Sequence, residues 1–306
     1  MMASTASPVS EMKKPSASPT DFIIDAVDGY PLAATLSGDE AAPRLLIVNS
    51  AMAVHRRFYR HLAEDFAGRG FAVLTWDYRG VGGSRPPGSL RSFSARCRDF
   101  VLKDMEAIVA WARARRRERL FLLGHSLGGQ LAGLLADPSG IDAMVTLSSQ
   151  SGYWRLQGRE QKLVVAFHQY VTLPALSSVC GYMPWRLFGA EDLPAGVALE
   201  WAAWCRDPAY LMGDSTLPLE RYQRFDAPVL AWSIDDDRWG TSRSVDTMMR
   251  AYPHVERRHL EPAAWGLRRV GHFGAFRPEA RPVWDAIEAW LSARGSGSAR
   301  RRGHTL

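Results

Sequence analysis

Gly124-His125-Ser126-Leu127-Gly128 follows the apolar run Leu120-Phe121-Leu122-Leu123 and precedes a helix-like stretch from Leu127 to Ala136. A serine at a sharp strand-to-helix turn must adopt strained backbone angles, and small residues two before and two after it relieve the crowding. The pattern makes Ser126 a candidate nucleophile. It also puts the Leu127 N–H, in the first turn of the helix, where a developing oxyanion would sit. A hydroxyl is a poor nucleophile unless a base takes its proton and a third group holds that base in one tautomer. Both partners exist downstream. Asp226-Ala227-Pro228 leads into the buried-strand pattern Val229-Leu230-Ala231-Trp232, which ends in Ser233-Ile234-Asp235-Asp236-Asp237. Val270-Gly271-His272-Phe273-Gly274 then places a histidine between two glycines, ahead of a final helix near Arg281 to Arg294.

The remaining histidines suit the role less well. His55, His61, His254 and His259 lie in or beside polar, charged segments, His125 belongs to the elbow and faces away from a base position, and His304 is near the chain end. His272 alone combines a glycine-flanked loop with a position after the acid. Three consecutive carboxylates can also form a solvated turn or bind a hard cation through oxygen, but only one of them can face a histidine. No metal and no cofactor are expected.

The elements around these residues alternate. Leu45-Leu46-Ile47-Val48 reads as a strand, Arg57 to Arg69 as a helix, Phe71 to Trp76 as a strand, Phe100 to Ala114 as a helix, and Leu120 to Leu123 and Ala143 to Leu147 as strands. Alternation of this kind predicts a mostly parallel central sheet covered by helices on both faces, with acids at the carboxyl ends of strands well placed for a site. From about Gln150 to Arg224 the pattern changes: the segment is aromatic-rich, interrupted by Pro174, Pro184, Pro194, Pro208 and Pro218, and shows no strand alternation. It is read as a helical cap. Trp154, Tyr170, Tyr182, Trp185, Phe188, Trp201 and Trp204 are too many large apolar groups to leave in water, so they are expected to bury, some of them lining an apolar pocket.

With these motifs in place, the chain resembles an α/β-hydrolase from about Asp21 to Leu291. Asp77-Tyr78-Arg79-Gly80-Val81-Gly82-Gly83-Ser84 is similar to the D-x-R-G-x-G-x-S loop that follows an early strand in this superfamily; it lacks the glycine spacing and lysine of a phosphate loop and is read as structural. Asn49-Ser50-Ala51-Met52, Asp235-Asp236-Asp237 and Gly271-His272-Phe273-Gly274 together resemble a bacterial group related to serine aminopeptidase-like and esterase-like hydrolases. The resemblance implies that the acid falls nine residues beyond Pro228, at Asp237, with Asp236 the next choice and Asp235 the last. It also implies a second oxyanion donor at the backbone N–H of Ala51, with Met52 as neighbour. Here Asn49-Ser50 stands where the superfamily usually has His-Gly, a departure that points to a hole assembled only with substrate bound and keeps a non-catalytic reading open.

The division expected is a disordered tail over 1–20, a first core part over 21–149, the cap over 150–224, a second core part over 225–294 and a basic tail over 295–306. A chain of 306 residues can bury a substantial core, and no signal-peptide-like apolar run opens it. No run of 18 apolar residues appears, so no membrane span is expected. Cys97, Cys180 and Cys205 are few, odd in number and widely spaced, which suggests neither a disulfide framework nor a zinc site and places the protein in the cytoplasm. The net charge of +6 gathers in Arg113, Arg115, Arg116 and Arg117 at a helix end and in Arg300, Arg301 and Arg302; favourable helix-end charge and a solvated tail account for it without nucleic acid. The expected partner is a small-molecule substrate, with oligomeric state open. The expected activity is that of a serine hydrolase on a carboxylic ester, thioester or small amide with an apolar acyl or alkyl part. The alternatives are acyl transfer on the same constellation and a hydrolase-like binding protein.

Overall fold

The computed structural model describes residues 18–295. Both expected tails lie outside that span, except residues 18–20 and 295, so the expectations for them are not addressed by the fold. The strands are β1 (Thr20–Asp25), β2 (Pro31–Ser37), β3 (Arg44–Asn49), β4 (Phe71–Trp76), β5 (Arg119–His125), β6 (Ala143–Leu147), β7 (Tyr182–Met183), β8 (Leu193–Pro194), β9 (Val229–Ile234) and β10 (Val255–Leu260). Eight of them form one sheet in the order β1-β2-β4-β3-β5-β6-β9-β10, while β7 and β8 make a separate two-stranded ribbon. The β1–β2 and β2–β4 pairs are antiparallel, and every pair from β4–β3 to β9–β10 is parallel.

The central strands are apolar without a break because both faces of the sheet are covered. Side chains still alternate: Leu45 and Ile47 of β3 join one core with Leu120 and Leu122 of β5, whereas Leu46 and Val48 join the opposite core with Phe121 and Leu123. The helices that cover these faces include α1 (Arg60–Gly68), α2 (Glu106–Ala114), α3 (Leu127–Leu131), α7 (Ser242–Met249) and α8 (Arg281–Gly295); between α3 and α7 lie α4 (Lys162–Phe167), α5 (Leu173–Cys180) and α6 (Ala195–Arg206). Three expected helices carry other turns at one end. A 3₁₀ turn over Arg56–Tyr59 precedes α1, a π-helical segment over Phe100–Met105 precedes α2, and α3 passes into a 3₁₀ turn at Ala132–Leu134 and ends before Ala136.

Asp77 and Arg79 act as structural residues of their loop. The Asp77 carboxylate accepts from the Arg56 and Gly83 amides and pairs with the Arg56 guanidinium, and Arg79 is clamped between Asp104 and Asp28.

Between β6 and β9 the chain leaves the sheet. A continuous helical stretch, Lys162–Cys180, is made of α4, a π-helical turn over His168–Thr172, and α5. The excursion rests on loops at the carboxyl ends of the strands: Glu191 N–H donates to Ala53 O after β3, and Gly158 N–H donates to Arg238 O after β9. Its aromatic residues do not all bury as expected. Trp204 is buried and Trp154, Tyr182, Trp185 and Trp201 are partly so, but Tyr170 and Phe188 are 52% and 60% exposed. The Lys162–Cys180 helix is also, by length and composition, apolar enough to cross a membrane, although its sequence contains polar residues that interrupt any unbroken apolar run.

Candidate active site

The residues singled out by sequence converge at the carboxyl edge of the sheet. Ser126 follows β5 with φ +50° and ψ −115°, a conformation that costs a non-glycine residue on the order of 1–3 kcal/mol and persists only where the surroundings fix it. The flanking glycines show what fixes it. A Cβ on Gly128 would lie 2.2 Å from Asn49 O, and one on Gly124 would lie 2.4 Å from Gly129 Cα. The elbow thus packs backbone against backbone, which only glycine permits. Ser126 is 8% exposed, and its N–H is held by Leu147 O of β6 at 3.0 Å. Leu127 opens α3, where backbone N–H groups lack an intrahelical acceptor; no acceptor for its N–H occurs among the described residues.

The acidic turn after β9 divides its labour. Asp237 Oδ2 lies 2.7 Å from His272 Nδ1, and Asp237 Oδ1 accepts the amides of Trp239 and Gly240, each at 2.9 Å. Burial alone would raise the Asp237 pKa; the charge of His272, the hydrogen bond to it and the Gly240 amide outweigh that and hold the carboxyl at about 2. Asp236 takes the other task. Its two oxygens accept the Val270 and Gly271 amides at 2.9 and 2.7 Å, which pins the loop that carries the imidazole. Asp235 points to solvent and pairs with His259 at 3.5 Å.

With Nδ1 engaged, His272 Nε2 has no hydrogen-bond partner among the described residues, and no hydrogen bond joins it to the Ser126 hydroxyl. Contacts of this type commonly tighten only in the Michaelis complex. The two loops are nonetheless tied through His125. Its Nε2 lies 2.9 Å from His272 O, its Nδ1 lies 2.9 Å from the Tyr59 hydroxyl, and its ring centroid is 5.1 Å from that of His272.

The tautomer follows from the partners. A carbonyl only accepts, so His125 Nε2 carries the proton and Nδ1 accepts from Tyr59. Burial pushes the His125 pKa well below its ordinary value, and it stays neutral. Tyr59, also fully buried, accepts the Ala51 N–H at 2.9 Å. The amide expected to be the second oxyanion donor is therefore already engaged, which corrects the picture of Ala51 as an open donor. Among the described residues the neighbouring Met52 N–H has no acceptor. Asn49 turns inward, its Oδ1 accepting from Trp76 Nε1 at 3.1 Å.

Three contributors escaped sequence reasoning. Tyr59 lies in a segment read only as helix, and Asp236 was weighed only as an alternative acid. Trp239, 50% exposed with its ring centroid 5.7 Å from that of His272, had no motif around it. Only the aromatic two residues beyond the acid could have flagged the last.

Residues 41–179 match a family model described as serine aminopeptidase, S33. No curated protein matches the chain. Among solved structures, an esterase from Exiguobacterium antarcticum superposes with a TM-score of 0.61 at 14% identity, covering 89% of this chain and 100% of its own. An esterase from Pyrococcus furiosus gives 0.58 at 15%, covering 90% and 91%. A proline iminopeptidase from Mycobacterium smegmatis gives 0.56 at 15%, covering 90% and 99%. The fold shared with these structures is the α/β-hydrolase fold.

Proposed function

We propose that this chain, an α/β-hydrolase by fold, is a serine hydrolase cleaving a carboxylic ester, thioester or small amide with an apolar acyl or alkyl part. The observation that carries the reading is the 2.7 Å contact between Asp237 Oδ2 and His272 Nδ1, made beside a serine held at positive φ on the adjoining elbow. In this reading Ser126 Oγ attacks the carbonyl carbon while His272 Nε2 takes its proton. Asp237, kept ionised, steadies the imidazolium. The C–O, C–S or C–N bond then breaks, and the leaving group receives that proton. Water, deprotonated by the same ring, releases the acid from Ser126. Leu127 N–H faces the oxyanion, and the Ala51–Met52 turn supplies the second donor once substrate competes with Tyr59 for the Ala51 amide or engages Met52 instead. Residues 150–224 serve in this reading as a helical cap over the site; excluding water there would favour acyl transfer instead.

One observation favours a second reading. An oxyanion donor already bonded inside the protein suits a binding protein of low turnover, or an enzyme that awaits substrate before its hole forms. A panel of p-nitrophenyl esters with Ser126→Ala as control, together with fluorophosphonate labelling, separates the outcomes. Stoichiometric labelling of Ser126 and turnover lost in the variant support hydrolysis; equal turnover by both proteins removes Ser126 from the chemistry, and failure to label supports binding. Free acid as the product, with alcohol acceptors present, sets hydrolysis apart from acyl transfer.

A further inference from the structure

The Lys162–Cys180 helix is amphipathic in the wrong sense for water. Its inward stripe, spaced by four residues, is Gln169, Leu173 and Ser177, which are 3%, 1% and 1% exposed. Two of those three are polar. Its outward face carries Leu163, Phe167, Tyr170 and Val179, exposed by 78%, 59%, 52% and 76%, and the next turn adds Leu187 and Phe188 at 79% and 60%. A surface helix of a soluble domain turns its apolar stripe to the core and its polar face to water. Contiguous exposed apolar surface of this kind marks an interaction site.

Charge indicates what covers it. From Leu163 to Trp185 the sequence contains no Asp, Glu, Lys or Arg, and basic side chains surround the stretch. Arg159 and Lys162 stand at its start, and Arg91 packs against Gly181, where the helix ends. Arg206 lies over the Tyr170 ring at 5.5 Å. None of these four has an acidic partner among the described residues, whereas the nearby acids are already matched: Glu160 by Arg238, and Glu191 and Asp192, just beyond Phe188, by Arg186. An apolar centre within a basic rim is the pattern of a helix lying in the plane of an anionic bilayer surface. A second copy of the chain fits worse, because a two-fold contact through this face sets the same bases against themselves.

The helix lies on the surface and does not cross it. Its inner stripe is packed into the fold, and Arg206 Nη1 donates to Gln169 O at 3.0 Å, so insertion across a bilayer would unpack the excursion.

We infer that the outer face of Lys162–Cys180, with Leu187 and Phe188, docks this protein on lipid surfaces bearing anionic headgroups. The surface stands whatever reaction Ser126 performs, and its test does not use activity.

The full chain is mixed with phosphatidylcholine vesicles or with vesicles containing about one third phosphatidylglycerol, and partition is read by flotation. Binding to the anionic vesicles, weakened by added salt, is expected, with little binding to the neutral ones. The triple variant Leu163→Gln, Phe167→Gln, Val179→Gln alters only exposed positions; it is expected to keep the wild-type melting temperature and to lose roughly tenfold or more of the partition. The wild type staying unbound, or binding neutral vesicles as well, overturns the inference. So does equal binding by the triple variant, which would assign the affinity to other bases such as Arg300, Arg301 and Arg302. Light scattering that shows a dimer converted to monomer by the triple variant also overturns it, in favour of self-association.

Discussion

The phenolic oxygen of Tyr59 accepts the backbone N–H of Ala51 at 2.9 Å. This joins the loop after β3 to His125, and through it to the carbonyl of His272. Tyr59→Phe leaves a buried amide without an acceptor and a buried imidazole nitrogen without a donor, at a cost of about 1–3 kcal/mol. The same change frees the Ala51 N–H for a developing oxyanion. The variant is expected to unfold at lower urea while turning over a short ester at least as fast as the wild type, as equilibrium unfolding and kcat together will read.

Asp237 and Asp236 are neighbours with separable effects. Asp237→Asn keeps the shape but disfavours the tautomer that presents Nε2 as base, and kcat on an ester is expected to fall by about 10⁴. Asp236→Ala removes the acceptor of two loop amides and leaves the ring partner in place. A fall in kcat of roughly tenfold is expected, because loosening a supporting group costs less than losing the group itself. Steady-state kinetics of both variants side by side provide the check.

Acid should act on the site in two steps. His125 is neutral when folded because burial lowers its pKa, so the unfolded chain binds the extra proton; the contribution is full above about pH 6.5 and is lost as pH falls below it. Asp237, held at about 2 against an ordinary 3.8, contributes fully above about pH 4, on the order of 2 kcal/mol, and loses that contribution as pH falls toward 2. Urea unfolding between pH 7.5 and 5 is expected to show a shallower slope for His125→Asn than for the wild type. A wild-type slope unchanged in the variant would place the titration elsewhere.

Gly128→Ala tests the elbow itself. The added methyl would meet a backbone oxygen at 2.2 Å, which no rotamer change relieves, and a loss of about 3 kcal/mol or more is expected. Chemical denaturation, with fluorophosphonate labelling of whatever folds, measures it.

Much of this was legible from side chains whose pattern has one physical cause. β4 and β6 run over the expected residues because strands covered on both faces must be apolar throughout. The Ser126 elbow declares itself because only glycine fits where backbone meets backbone. β10 was missed: Glu256, Arg257 and Arg258 interrupt it, and at the sheet edge these charges find Trp290, Arg294 and Asp246 as partners. The short antiparallel strands β1 and β2 offered no comparable apolar run. Ala51 follows β3 in the loop, but its hydrogen bond to Tyr59 depends on a residue whose hydroxyl announces nothing in sequence. Tyr170 and Phe188 failed for another reason: the count of large apolar groups says that they should be covered, but not that they point toward the sheet.

His125 sits one residue from Ser126 and its Nε2 holds the carbonyl of His272, so the elbow and the histidine loop are tied to each other directly. With residues 150–224 as the proposed cap, the passage of substrate and product would then fall to the excursion between β6 and β9 rather than to the loops that carry Ser126 and His272.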